Sequence, residues 1–455
     1  MLVNKKEIES YHIWTVGCQM NVADSQRVDV GLNKLGLIKE SNIENANIIV
    51  LNTCVVRQSA EDTATGLLGK LLKSKNKDNS YICVTGCMVE SNTKKLTQRF
   101  PQVDLWAKPQ ETSKIIENIA DHLNLSSEGC VENLIPKKSN YTEFVPIVQG
   151  CDKFCTFCVI PYRRGRETSR TIDEIIFDIE TLANNGTLEV TLLGQNVDSY
   201  GHDLNPKVDL SDLLIEVEKI PMIKRIRFLT SHPNDMSIKL LETIGSLDKV
   251  CESVNLPFQS GSNRILANMR RGYTRDQYLS KIDQIKFMLP NSTITTDLIV
   301  GFPGENEKQF ERSLDILRSV EFSKVHAAAY SNRNGTFASR NMPDTVDRVA
   351  KKARLAAVDD LQKEIQTRNN ALYVGREFDV LVEGRKRNRL HGRNRGDKLI
   401  YLNTSTTGNL EDPCGRGNIQ AGQTVRVAVT NSSPWSLQAN VVMESCPDAA
   451  GIGAR

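Results

Sequence analysis

Three cysteines with a metal-ligand spacing lie near the middle of the chain. Cys151, Cys155 and Cys158 form the pattern C-x3-C-x2-C. Three thiolates fill three of the four positions of a tetrahedral zinc ion or of a four-iron cluster. A zinc ribbon needs a fourth Cys or His at ribbon-like spacing, but the nearest candidates are Cys130 and His202. The pattern therefore favours a [4Fe–4S] cluster with one iron open to a small molecule over a zinc ribbon or three core thiols. Such a site could deliver an electron to that molecule.

A second set of three cysteines is spread over the first ninety residues. Cys18 follows the segment YHIWTVG, Cys54 follows NIIVLNT, and Cys87 follows YICVTG, and each segment reads as a buried strand. If these strands are parallel, the three thiols converge on one edge of the sheet. The alternative is that they are ordinary buried cysteines, as we expect for Cys83 within its strand. Three cysteines at equivalent strand ends favour a second metal site.

The elements that must position these cysteines fall into three zones. From Tyr11 to about Asn124, short apolar runs alternate with helical patterns, which predicts a doubly wound parallel sheet. From about Tyr141 to Leu372, a strand-then-helix pattern occurs six times, which predicts a parallel sheet wrapped by helices, either open or closed into a barrel. From Val374 to about Met443, short β-rich runs separated by turns predict a small all-β barrel.

Composition narrows the class of protein. The 455 residues are 39% apolar and 25% charged with a net charge of +3, so any nucleic-acid contact must come from a local patch. No apolar run approaches the roughly 20 residues of a membrane span, and the first residues lack the apolar core of a signal peptide. We therefore expect a cytoplasmic protein with no membrane partner, whose cysteines are reduced.

Several motifs carry a family resemblance that covers nearly the whole chain. The cysteine motif followed by DLIVGFPGE resembles the radical S-adenosylmethionine enzymes. The segments GCQMN, NTCVVR, TGCM, CVIPYRRGRE, LLGQNV, TSHP, LPFQSGS and YSNRNGT resemble the methylthiotransferases among them. This resemblance implies an N-terminal methylthiotransferase domain over 9–127, a radical S-adenosylmethionine core with a (β/α)6 partial barrel over 137–370, and a TRAM RNA-binding domain over 373–443.

The resemblance also implies two [4Fe–4S] clusters and S-adenosylmethionine as cofactors. Cys151, Cys155 and Cys158 would hold the cluster whose fourth site S-adenosylmethionine fills. Cys18, Cys54 and Cys87 would hold the auxiliary cluster that carries the sulfur. Further matching positions would line the cofactor pocket: Phe157, Gln195, Ser231, Gln259, Asp297 and Gly301. For Phe157 the alternative is simple packing, and for a glycine-bearing strand end it is a tight turn.

The implied reaction uses two molecules of S-adenosylmethionine. One gives a 5′-deoxyadenosyl radical, and the other supplies a methyl group to the sulfur. The product would carry a methylthio group on C2 of N6-(dimethylallyl)adenosine, next to the anticodon of tRNAs that read codons beginning with uridine. The alternatives are a relative that modifies ribosomal protein or threonylcarbamoyl-adenosine tRNA, and a non-catalytic iron–sulfur RNA-binding protein. The resemblance also implies a flavodoxin- or ferredoxin-type electron donor, and we expect a monomer.

A basic segment in the third zone is the candidate RNA contact. Residues 384–396, GRKRNRLHGRNRG, contain six basic residues and no acid. They are Arg385, Lys386, Arg387, Arg389, Arg393 and Arg395. Such a segment can neutralise phosphates of the tRNA anticodon stem-loop and release counterions. The alternative is a solvated hairpin, since no Phe, Tyr or Trp within the segment could stack on a base.

Overall fold

The structure is a computed structural model that describes residues 9–56, 58–74, 80–90, 92–403 and 418–442. Its strands are β1 Ser10–Thr15, β2 Ile38–Lys39, β3 Ile48–Thr53, β4 Tyr81–Gly86, β5 Leu105–Trp106, β6 Thr142–Pro146, β7 Val148–Gln149, β8 Thr168–Ser169, β9 Glu189–Leu193, β10 Arg225–Phe228, β11 Ser253–Asn255, β12 Thr293–Val300, β13 Lys324–Ala329, β14 Glu377–Lys386, β15 Arg389–Arg393, β16 Leu399–Leu402, β17 Thr424–Ser433 and β18 Ser436–Val441. Its helices are α1 Gln19–Lys34, α2 Gln58–Ser74, α3 Lys94–Arg99, α4 Thr112–His122, α5 Ile160–Arg163, α6 Ile172–Asn184, α7 Leu210–Glu218, α8 Ile238–Ser246, α9 Asn263–Asn268, α10 Arg275–Met288, α11 Glu307–Val320, α12 Phe337–Asn341 and α13 Arg348–Ala371.

The N-terminal sheet is parallel and covered on both faces. Its strand order is β2-β1-β3-β4-β5. Every residue of β3 is buried, which explains its uninterrupted apolar run. Its side chains alternate between two cores: Ile48 and Val50 pack with α1 and α4, whereas Ile49 and Leu51 pack with α2. The predicted doubly wound sheet is confirmed, and Cys83 is fully buried in the core.

Six parallel strands form the central region. They pair as β6-β9-β10 and β11-β12-β13, and a bridge between Ile226 and Val250 joins the two halves. Within the described residues β6 pairs only with β9 and β13 only with β12, so the predicted (β/α)6 barrel is a partial, open one. The surrounding helices are defined locally by their caps. Thr171, for example, accepts from the backbone of Glu174 at 3.3 Å, while Glu174 accepts from the backbone of Thr171 at 3.0 Å, which fixes the start of α6.

The C-terminal strands close into a small barrel in the order β14-β15-β16-β18-β17, as predicted. This barrel docks on the amino ends of the central strands. Arg225 Nη1 donates to the carbonyl of Arg393 at 2.6 Å, and Arg227 Nη2 donates to the carbonyl of Asn394 at 2.7 Å. The Thr293 hydroxyl donates to the carbonyl of Gly396 at 2.9 Å. The small barrel is thus anchored at the end of the central strands opposite their carboxyl ends.

No helix among the described residues is both long enough and apolar enough to span a membrane. The last residue of the predicted C-terminal domain, Met443, lies outside the described ranges.

Candidate active site

The central cysteine motif lies on a loop that a short hairpin closes at its base. Strands β7 and β8 pair at Val148–Ser169 and Gln149–Thr168, so residues 150–167 form one excursion beyond β6. Gly150 adopts a φ of +76°, and a Cβ there would lie 2.0 Å from the carbonyl oxygen of Arg166. Only glycine fits this close approach of the two ends of the loop. The hairpin therefore fixes where Cys151 leaves the sheet.

The three thiols of this loop are shielded from water and influence one another. Cys151 and Cys155 are buried, and Cys158 is half-buried. Burial raises the pKa of Cys151 to about 11 and that of Cys158 to about 12, and the Cys155 thiol contributes to both increases. Cationic iron would reverse this effect, because metal binding deprotonates its ligands. The donor set fits a cluster that supplies its own positive charge.

One cation already contacts this set. The buried Arg271 donates from Nη1 to Cys155 Sγ at 3.4 Å and from Nη2 to the carbonyl of Pro257 at 3.2 Å. The sequence analysis missed Arg271, whose contact with Cys155 joins residues 116 positions apart. The segment NMRRGY carried no signal beyond its two adjacent arginines.

The second set of cysteines lies at one edge of the N-terminal sheet. Cys18, Cys54 and Cys87 follow the adjacent parallel strands β1, β3 and β4. The Cys87 amide donates to the carbonyl of Thr53 at 2.8 Å, which ties the β4 end to the residue before Cys54. A Cβ on Gly17 would lie 2.7 Å from Cys54 Cβ, so the residue before Cys18 packs directly on Cys54. The structure therefore brings these three cysteines to neighbouring strand ends.

Placement is what supports the two sites. Across the described ranges, no three His, Cys, Asp or Glu side chains already converge closely enough to form a complete metal site. Which cysteines hold which cluster therefore stays a prediction, drawn from strand ends and chemistry and not from coordination geometry.

The predicted cofactor-pocket residues lie along the carboxyl ends of four successive central strands. Gln195, Ser231 and Gln259 follow β9, β10 and β11, whereas Asp297 lies in β12 and Gly301 follows it. The side-chain oxygens of Gln195 and Gln259 are buried and make no hydrogen bond within the described part of the chain. Since a buried unpaired acceptor is costly, these two amides fit a site that receives donors from a ligand.

Phe157 and Gly301 also make contacts within the protein. The Phe157 ring packs edge-on against Phe302, with the ring centroids 6.5 Å apart. Gly301 has a φ of +71°, and a Cβ there would lie 2.4 Å from Cγ of Lys351. Packing and a tight turn thus contribute at these two positions.

The structure divides the six basic residues of 384–396 into two groups. Arg385, Lys386 and Arg387 are exposed at the β14–β15 turn, and Arg389 lies next to it on β15. The guanidinium of Arg389 lies over the ring of Tyr401, 5.2 Å from its centroid, so tertiary structure supplies an aromatic ring that the segment itself lacks.

The other two basic residues are bound by acids of the protein itself. Arg393 pairs with Glu383 at 3.3 Å and with Asp397 at 3.2 Å. Arg395 makes a two-pronged contact with Glu252, at 3.0 and 2.7 Å, and donates to the carbonyls of Asp248 and Val250. Arg395 therefore helps to anchor the small barrel, and the candidate RNA contact is reduced to the four residues at the turn.

Comparison with known proteins extends over the same regions. Residues 10–108 match the Uncharacterized protein family UPF0004, and residues 145–317 match the Radical SAM superfamily. A tRNA-2-methylthio-N(6)-dimethylallyladenosine synthase of Dehalococcoides mccartyi is 42% identical over 433 residues, covering 95% of this chain and 98% of the relative. The synthase of the same name from Dictyoglomus thermophilum is 40% identical over 448 residues, covering 95% and 99%. The chain belongs to this synthase family. It is a radical S-adenosylmethionine enzyme whose cofactors are S-adenosylmethionine and [4Fe–4S] clusters.

A solved structure shares the fold at low sequence identity. The radical S-adenosylmethionine methyltransferase TsrM from Kitasatospora setae, solved with cobalamin and a [4Fe–4S] cluster, is 12% identical, with a TM-score of 0.52. The match covers 71% of this chain and 75% of that one. At this identity the likeness concerns the fold alone.

Proposed function

We propose that this chain converts N6-(dimethylallyl)adenosine to its 2-methylthio derivative, next to the anticodon of tRNAs that read codons beginning with uridine. The observation that carries the proposal is the presence of two separate cysteine triplets, each beyond the carboxyl ends of a parallel sheet. One cluster site suffices to cleave S-adenosylmethionine, whereas a sulfur-inserting enzyme needs a second site to hold the sulfur. The names of the relatives agree with this division.

In this proposal the two triplets have different roles. Cys151, Cys155 and Cys158 hold the cluster that binds S-adenosylmethionine, and Cys18, Cys54 and Cys87 hold the auxiliary cluster. When bound, the first cluster and its cofactor supply radical and methyl-transfer chemistry. The buried amides of Gln195 and Gln259 accept hydrogen bonds from the cofactor, while Ser231, Asp297, Gly301 and Phe157 shape its pocket.

The functional regions in this proposal are 9–127 for the auxiliary cluster, 137–370 for the radical core and 373–443 for RNA binding. The four basic residues at the β14–β15 turn contact phosphates, which position RNA without reading its sequence. Selectivity for the prenylated base then comes from the mouth of the central barrel, where a flipped adenine can be held. We further propose a cytoplasmic monomer that receives electrons from a flavodoxin- or ferredoxin-type donor.

The substrate is tested by offering four candidates to the reconstituted enzyme under anaerobic conditions with dithionite. Three are anticodon stem-loops carrying N6-dimethylallyladenosine, unmodified adenosine or threonylcarbamoyl-adenosine, and the fourth is ribosomal protein. Nucleoside and peptide mass spectrometry then detect the added methylthio group. We expect it only or chiefly on the dimethylallyl stem-loop.

Two outcomes would contradict the proposal. Modification of ribosomal protein, with none of the three RNAs changed, would refute the tRNA assignment and leave the radical chemistry intact. A complete failure to cleave S-adenosylmethionine would favour the non-catalytic RNA-binding alternative.

A further inference from the structure

One arginine side chain runs from the central cysteine loop to the N-terminal cysteines. Arg164 follows α5, six residues after Cys158, and its amide donates to the carbonyl of Ile160 at 2.8 Å. The next residue, Gly165, accepts from the Cys151 amide at 3.3 Å. The backbone of Arg164 is therefore held by the same loop that carries the first cysteine triplet.

The side chain of Arg164 ends inside the other domain. Its Nη2 contacts Asp24 Oδ2 at 2.7 Å, and the exposed fractions of the two side chains are only 2% and 7%. Asp24 lies in α1, the helix that Cys18 caps. Burial lowers the pKa of Arg164, but Asp24 and Cys87 raise it above its ordinary value, so the guanidinium stays charged. This charge is thus held at the sheet edge where the second cysteine triplet lies.

Asp24 leaves part of this guanidinium without a partner. Arg164 Nη1 is buried and makes no hydrogen bond to the residues that the structure describes. An unpaired buried donor on a charged group costs at least about 1–3 kcal/mol, so an ion pair that only joined two domains would leave a poor geometry uncorrected. The free N–H groups lie near Cys87: burial raises the pKa of that thiol, and Arg164 opposes the rise.

A second arginine from the central region reaches the same edge from another side. Arg333 is 6% exposed, pairs with Glu61 at 2.5 Å, and lies close enough to Cys54 to feel its charge. Both arginines are donated by the radical domain to the N-terminal sheet. In contrast to Arg164, Arg333 spends its donors on Glu61, Gln58 and the carbonyl of Val56. Arg164 is therefore the arginine at this edge with a buried donor still to be used.

We propose that Arg164 binds anionic inorganic sulfur, sulfide or hydrosulfide, at the site of Cys18, Cys54 and Cys87. This inference rests on the proposed function, in which that site carries the sulfur. A guanidinium suits such a ligand because it is weakly hydrated, permanently charged and has several donors in a fixed fork. With Asp24 on one edge of the fork and the sulfur anion on the other, every buried donor of Nη1 and Nη2 has a use.

The adjacent arginine offers a matched control. Arg163 Nη2 contacts Glu90 Oε1 at 2.7 Å, and its side chain is 10% exposed. It lies on the same short helix and also joins the central region to the N-terminal sheet, but it makes no contact with a cysteine among those described. Replacing either arginine by methionine removes one interface ion pair and keeps most of the buried volume.

The experiment measures sulfide binding directly. Sodium sulfide is titrated anaerobically into reconstituted wild type, R164M, R164K and R163M, and binding is followed by the EPR spectrum of the reduced clusters. Iron per chain is measured on the same samples. We expect R164M to keep its iron but to bind sulfide at least about tenfold more weakly, the effect of losing a charge-assisted hydrogen bond. R164K, which keeps the charge without the fork, should be intermediate, and R163M should match the wild type.

Unchanged sulfide affinity in R164M, or equal weakening in R163M, would overturn the inference. Loss of iron from R164M alone would assign Arg164 to cluster assembly and would also overturn it. If R164M does not fold, R164K decides, since it must bind sulfide more weakly than the wild type. A wild type that binds sulfide through Arg164 but modifies no RNA would instead refute the proposed function and leave this inference standing.

Discussion

Ser231 donates a hydrogen bond from its hydroxyl to the buried carboxyl of Asp198, with 2.9 Å between the two oxygens. The backbone amide of His232 donates to the other oxygen of Asp198 at 3.1 Å. These contacts tie the loop after β9 to the loop after β10 at the mouth of the central barrel. Burial nevertheless dominates, and it raises the pKa of Asp198 from 3.8 to about 7. A pocket residue thus carries a proton that the unfolded chain would release.

This proton makes stability depend on pH. Between about pH 4 and pH 7 the folded state keeps the proton on Asp198 and the unfolded state loses it, so the free energy of unfolding falls as pH rises. The neighbouring charges of Asp235, Lys153 and Lys281 modulate this effect. Asp198→Asn keeps an oxygen that accepts from Ser231 and cannot ionise. We expect the variant to become more stable than the wild type as pH rises, by up to about 1.4 kcal/mol per pH unit, with no further gain well above pH 7.

Urea unfolding of the cluster-free protein from pH 5 to pH 8 measures this difference. Asp121→Asn, at an exposed position on α4, is the control and should follow the wild type at every pH. A constant difference between Asp198→Asn and the wild type across the range would contradict the prediction.

Arg395 and Arg387 should separate docking from RNA binding. Arg395→Ala removes the two-pronged contact with Glu252 and two hydrogen bonds to carbonyls of the central barrel. We expect it to lower the free energy of unfolding by about 1–3 kcal/mol, a range that allows for partial exposure of the pair. Arg387→Ala, at the exposed turn, should leave stability unchanged.

The effect on tRNA binding should be different. Arg387→Ala should weaken binding and reduce the slope of log affinity against log salt by up to about one. The fourfold variant Arg385→Ala, Lys386→Ala, Arg387→Ala, Arg389→Ala should enlarge both effects. Binding with an unchanged salt slope in the fourfold variant would exclude this hairpin as the phosphate contact.

The two cysteine triplets should be separable by loss of function. Reconstituted wild type should contain about eight irons, and each triple Cys→Ala variant about four. Replacing Cys151, Cys155 and Cys158 should abolish cleavage of S-adenosylmethionine. Replacing Cys18, Cys54 and Cys87 should leave cleavage measurable but stop methylthiolation, because the sulfur carrier is lost. Cys83→Ala, at a buried position within β4, is the control and should keep both activities. Methylthio product from the second triple variant would contradict the division of roles.

The positions of the cysteines were predictable because strand polarity is written in the local sequence. An apolar run that ends at Cys18, Cys54 or Cys87 fixes the end of the strand, and parallel packing then brings the ends together. The contacts of Arg164 and Arg271 were not predictable in this way. Their partners Asp24 and Cys155 lie 140 and 116 residues away, and nothing local distinguishes these arginines from solvated ones.

Two further differences between prediction and structure have the same origin. The run FVPIVQG reads as one strand, but it divides into β6 and β7, because the chain turns away at Ile147 to build the hairpin that closes the cysteine loop. The basic segment reads as one patch, whereas Arg393 and Arg395 are bound by Glu383 and Glu252, which the sequence does not place beside them.

The unpaired amide of Gln195 leads to a prediction with two opposite effects. Its buried side-chain oxygen makes no hydrogen bond within the described residues, so it destabilises the protein when no ligand is bound. Gln195→Met keeps the length of the side chain and removes the polar group. We expect the cofactor-free variant to be about 1 kcal/mol more stable than the wild type in urea. With the cluster reconstituted, the same variant should bind S-adenosylmethionine about tenfold more weakly by equilibrium dialysis, because the acceptor is gone. Gln98→Met, at an exposed position on α3, controls for the chemistry of the replacement and should change neither quantity. If Gln195→Met gained stability and bound S-adenosylmethionine as tightly as the wild type, the amide would face a gap in packing and not the cofactor.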